Sequence, residues 1–122
     1  MMEVTTMNSL LLTLDLQEDT ILLNKGILDA LDHPRQVQIM INEELGSLLL
    51  RACTIDDLQA IVVPEENMKQ FEIGGRSLLK KIRRIAGWVN DEPRVCNGEY
   101  LPMHHAIRFD LMSAVPTVIP NQ

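Results

Sequence analysis

The residues best suited to touching another molecule are basic. Lys80, Arg83 and Arg84 fall within one turn of a stretch with helical periodicity, Arg76 stands near its entrance and Lys81 at its edge. Cations in that arrangement can neutralise phosphates. Lys and Arg are also good helix formers and the usual covering of a solvated face, so the cluster has a plain structural reading beside the functional one. Cys96, His104 and His105, with Cys53 as a fourth ligand, are the one zinc set to consider. No Cys-x-x-Cys or spaced His pair supports it, and adjacent histidines on a strand point to opposite faces, so only one would reach a shared centre. As a nucleophile Cys96 would depend on the same histidines, and no glycine-framed elbow surrounds it. The plainer reading is a core thiol. Asp56-Asp57 and Glu43-Glu44 are neighbours in sequence only, which marks turns and helix starts rather than acid-base work. Gly74-Gly75 lacks the Gly-Lys-Ser of a phosphate loop and serves a strand-to-helix turn. These residues imply no enzyme, no metal and no cofactor.

Composition narrows the class of partner. The 122 residues are 46% hydrophobic, mostly Leu, Ile, Val and Met, with Phe71, Phe109, Trp88 and Tyr100 as the aromatics. So few stacking platforms count against single-stranded nucleic acid. The run Leu10-Leu11-Leu12 has no basic stretch before it and Asp15 close behind, unlike a signal peptide. No apolar stretch nears the roughly 18 residues of a membrane span. The expectation is a cytoplasmic protein with no membrane contact, whose two cysteines stay reduced and buried. The net charge of −6 is unevenly spread. Residues 1–66 hold twelve acids against three bases, and residues 67–122 hold eight bases against five acids. Either the halves face each other electrostatically or the basic half addresses something outside.

The elements that must position these side chains can be read along the chain. Leu10 to Leu16 and Thr20 to Leu23 read as strands, and Asn24 caps a short helix carrying Ile27, Leu28 and Leu31 that stops before Pro34. Val37, Ile39 and Ile41 alternate with polar residues, Asn42 to Gly46 forms a hairpin turn, and Ser47 to Arg51 returns. Thr54 to Asp57 opens a single helical turn, followed by a strand closed by Pro64. Phe71 to Ile73 is a strand, and Ser77 begins the longest helix, with Leu78, Leu79, Ile82, Ile85 and Ala86 on one side and Gly87 at its end. Trp88 plugs that end into the core. Arg94 to Tyr100 and Ala106 to Leu111 form a last strand pair, and Val115 to Pro120 an extended tail suited to draping over an apolar groove.

Laid over itself at an offset of about fifty, the chain repeats this order of elements. Ile21 and Leu23 fall on Phe71 and Ile73, Val37 on Val95, and Leu48 and Leu50 on Ile107 and Phe109. A strand-helix-hairpin unit of that size cannot cover its own apolar face, so two of them would close on each other. The stretch from Leu14 to Arg51, above all Asp19-Thr20-Ile21-Leu22-Leu23-Asn24-Lys25-Gly26-Ile27-Leu28-Asp29-Ala30-Leu31, resembles the swapped-hairpin unit of the AbrB and MraZ transcription regulators, and residues 71–111 would be its second copy. The resemblance implies a strand, a short helix and a hairpin interlocked with a second such unit, and a regulator that contacts DNA. The family has Gly-Arg where this chain has Asp19-Thr20, Pro at Asn24, and Arg at Leu28 and Asp29. The arginines that would grip phosphate are therefore absent from the first unit.

The expected fold is α+β, one domain over residues 1–122, with units at about 14–64 and 70–111, two main helices and a tail from 112. The expected function is a non-enzymatic binding protein that contacts DNA through Arg76, Lys80, Lys81, Arg83 and Arg84. The alternative is a protein-interaction module or homo-oligomer in which those cations only solubilise.

Overall fold

The computed structural model describes residues 9–54, 60–64 and 70–119. Leu11–Asp15 (β1) and Thr20–Asn24 (β2) are followed by Lys25–Ala30 (α1), then Gln36–Asn42 (β3), Ser47–Ala52 (β4) and Ile61–Val62 (β5). Gln70–Gly74 (β6) leads into Arg76–Ala86 (α2), then Arg94–Leu101 (β7), Ala106–Asp110 (β8) and Val115–Pro116 (β9). All pairings between these strands are antiparallel and join them in the order β5-β3-β4-β8-β7-β1-β2-β6, with β9 beside β7.

The α+β assignment is overturned by this architecture: among the described residues nine strands form one sheet, and only α2 is a helix of any length. The physical reason is pairing between distant segments: β1 with β7 and β4 with β8 gather the strands into one sheet, and α1 adds only six residues of helix. Asn24 caps α1 by accepting from the Ile27 amide, but Asp32 and His33 adopt left-handed backbone at φ 60 and 48 just before Pro34, so the helix stops after six residues. The tail does not drape over a groove as expected; Val115 and Pro116 pair with Val95 and Arg94. The helical turn expected at Thr54 to Asp57 lies largely outside the described residues. The remaining strands and α2 fall where periodicity puts them, within one or two residues.

Alternation supplies the core. Leu12, Leu14, Ile21, Leu23, Leu48, Leu50, Ile107 and Phe109 point inward from β1, β2, β4 and β8 and are fully buried, joined by Ile27 from α1 and Ile82 from α2. Each such side chain stabilises the fold by about 1.5–3 kcal/mol relative to exposure. Asp15 is the buried carboxylate of the described residues. Its oxygen accepts from the Gln17 and Glu18 amides at 3.1 Å, which builds the turn between β1 and β2.

β7 ties the sheet together. Its first half pairs with β1 from Leu14↔Arg94 to Leu11↔Asn97, and its second half with β8 from Gly98↔Phe109 to Leu101↔Ala106. Gly98 sits at the handover, where a Cβ would lie 2.5 Å from Ile107 Cγ2 and 2.6 Å from Phe109 Cε1. Only glycine lets the strand pass so close to those side chains.

The pairing has a symmetry of its own. When β1, β2, β3 and β4 are exchanged with β5, β6, β7 and β8, the run β5-β3-β4-β8-β7-β1 reads the same from its other end, and the β2-β6 pair maps onto itself. The hairpins align by their registers: Ile39↔Leu50 and Ile41↔Leu48 correspond to Gly98↔Phe109 and Tyr100↔Ile107. That places Val37 on Cys96, both buried, rather than on Val95.

Candidate functional site

α2 carries all five of the expected contact residues. It starts after Gly75, whose carbonyl accepts from the Leu79 amide at 2.7 Å. It ends where Gly87 turns left-handed at φ 75 and the Gly87 and Trp88 amides both donate to the Arg83 carbonyl, closing the helix end. Leu79 and Ile82 are its buried residues, and Leu78 packs against the core. No acid occurs in Arg76–Ala86. Arg83 and Arg84 lie in the last turn, where cations complement the helix dipole.

The structure divides the five cations into two groups. Lys81 and Arg83 are engaged at the helix flanks. Lys81 Nζ lies 3.2 Å from a Glu43 oxygen in the β3-β4 turn, while Arg83 pairs with Asp91 and donates from Nε to the Trp88 carbonyl. Arg83 is thus part of the helix terminus. Arg76, Lys80 and Arg84 form the other group, spaced four residues apart and all exposed. That spacing lines them up on one face, each about 6 Å along the axis from the next. Arg76 has a long contact to Asp19 at 3.9 Å, and Lys80 and Arg84 have no acidic partner among the described residues. Asp19 and Glu43 come from the acidic half of the sequence, so the halves do meet electrostatically here. These pairs are exposed on both sides, and such pairs contribute about 0–1 kcal/mol.

The cysteine and histidine set does not assemble. The Cys96 thiol donates to the Asp110 carbonyl at 3.0 Å and lies 3.9 Å from Ser113 Oγ. Burial pushes its pKa up, partly opposed by the Ser113 hydrogen bond and assisted by the Asp110 charge. A thiol held protonated is a poor nucleophile. His105 is directed elsewhere, with Nε2 3.1 Å from the Leu31 carbonyl and Nδ1 3.4 Å from the Tyr100 hydroxyl. No group of three or more His, Cys, Asp or Glu suited to a metal ion occurs among the described residues. Cys96 is buried, but Cys53 is only partly buried, against the expectation.

Trp88 packs against the core and carries the Arg94 guanidinium 4.8 Å from its ring centre, so that aromatic is occupied. Two surface features were not read from the sequence. An open groove of about 610 Å³ lies beside His105, with Asp32 and Arg35 of opposite sign in its lining. A smaller one of about 260 Å³ runs along the outer face of the β3-β4 hairpin between Met40, Leu45, Leu49 and Arg108. Both collect residues from segments distant in the chain or from turn tips, which periodicity does not address. No helix of the described residues is long and apolar enough to cross a membrane.

Set beside known protein families, curated proteins and solved structures, the chain matches none of them.

Proposed function

We propose that this is a non-enzymatic cytoplasmic binding protein that grips the phosphates of double-stranded DNA with α2. The single observation that carries the reading is the exposed row Arg76, Lys80 and Arg84, free of acids along its own helix, in a chain whose net charge is −6. A helix face with three cations at one-turn spacing is a compact electrostatic footprint, and Arg76 exchanges a long surface contact for a phosphate at little cost. The duplex is favoured over single strands because Trp88 is occupied and stacking residues are few.

A protein partner is the second reading, favoured by the exposed Met40 and Leu45 beside Leu49 in the groove on the β3-β4 hairpin. One experiment separates the two. Binding to a short duplex is measured across a salt series for the wild type and for Lys80→Ala/Arg84→Ala. With about three phosphates engaged, log affinity should fall against log salt with a slope of about −3, and the double variant should reduce its magnitude by about 2. An unchanged slope removes the DNA reading; absence of duplex binding leaves the protein reading.

A further inference from the structure

The two halves of the chain, residues 9–54 on one side and 60–64 with 70–119 on the other, meet through the antiparallel strand pairs β1-β7, β3-β5, β2-β6 and β4-β8, and the last two are self-complementary. In β2-β6 the inward pairs are Ile21↔Ile73 and Leu23↔Phe71, centred on Leu22↔Glu72. In β4-β8 they are Leu48↔Phe109 and Leu50↔Ile107, centred on Leu49↔Arg108. Each contact has an approximate two-fold axis through its central pair. The backbone hydrogen bonds of such a contact do not tell the chain's other half from the same half of a second copy. Side chains must make that distinction.

At the centres they do. Two first halves brought together would set Leu22 against Leu22 and Leu49 against Leu49, which is tolerable. Two second halves would set Glu72 against Glu72 and Arg108 against Arg108. Like charges directly opposite across an antiparallel pair are destabilising. In a closed pair of chains, joining the first halves forces the second halves together, so a clash in one half penalises the whole alternative. Glu72 and Arg108 are both exposed, and Glu72 has no ion-pair partner among the described residues, so neither is needed by the core. Arg108 pairs with Glu99 on the neighbouring strand, an exposed contact.

We propose that Glu72 and Arg108 are the specificity residues of this contact: they keep the second halves of different copies apart, so that a second half pairs with a first half and not with its own kind. The partner refused is a second copy of the chain, and the surface is the β6-β8 side of the interface between halves.

The test uses the full chain refolded from urea over a range of protein concentrations, with the dimer-to-monomer ratio read by size exclusion and light scattering. Glu72→Gln/Arg108→Gln removes both clashes without adding apolar surface, and should raise that ratio roughly two- to thirty-fold, the combined effect of two opposed like-charge pairs. Glu72→Lys/Arg108→Glu restores a clash of reversed sign at each centre and should return the ratio to the wild-type level. Added salt screens like charges, so it should raise the dimer ratio of the wild type by more than that of the Gln variant, which keeps the net charge of −6 but lacks the two opposed pairs. A Gln variant no more dimeric than the wild type overturns the proposal, as does a reversed variant that dimerises equally. A wild-type ratio insensitive to salt overturns it without any variant having to fold.

Discussion

Gly98 shows how a single position can hold a sheet in shape. An added Cβ has no room against Ile107 and Phe109, both fully buried, and neither neighbour is the loose end of a flexible side chain. Gly98→Ala should therefore lower stability by about 1–3 kcal/mol, the range for overpacking, seen as a lower urea midpoint. Nothing in Arg94–Leu101 announced this, because a glycine in a strand pattern looks the same whether it faces water or a phenyl ring. Cys96 makes a second residue-scale prediction. Its pKa is raised in the folded state from an ordinary 9.0, so above that value the unfolded chain loses the proton first and the folded chain binds more protons. Stability from this group is complete below pH 9.0 and falls as pH rises through the higher folded value. Urea midpoints at about pH 8 and about pH 10 should show a smaller decline for Cys96→Ala than for the wild type. The thiol was legible as a core residue, whereas Cys53, just past the end of β4, is only partly buried.

At the scale of elements, local signals placed the strands and α2 correctly because alternation and helical spacing are written into consecutive residues. They gave the wrong class because class depends on pairing. The β1-β7 and β4-β8 pairs bring together residues far apart in the chain, and it is these contacts that gather the strands into one sheet. The same limit applied to α2. Its cations were legible from composition, but not that Glu43 and Asp91 would engage Lys81 and Arg83 and leave the row Arg76, Lys80 and Arg84 as the open face. Asn24 joins two elements. Its Oδ1 accepts from the Ile27 amide at 3.1 Å and from the Leu11 amide at 3.3 Å, while its Nδ2 donates to the Ser9 carbonyl at 2.8 Å. It caps α1 and fastens the start of β1 together. Asn24→Ala should cost about 2 kcal/mol, the upper end for a helix cap, and Asn24→Asp, which keeps the acceptor and loses the donor, should cost less. Thermal or urea unfolding of the two variants checks the order.

Across the whole molecule, the uneven charge of the sequence becomes spatial. Asp19 and Glu43 from the acid-rich half reach Arg76 and Lys81 of α2, which lies in the base-rich half, so the charge split partly closes on itself. What it leaves open is one row of cations on one helix, and the function proposed here rests on that remainder. The most direct test is a titration of isotopically labelled full-length protein with a short DNA duplex, followed amide by amide in NMR spectra. Shifts should concentrate on Arg76–Ala86 and fade as salt is raised. Shifts centred instead on the β3-β4 hairpin, or none at low salt, would contradict the account.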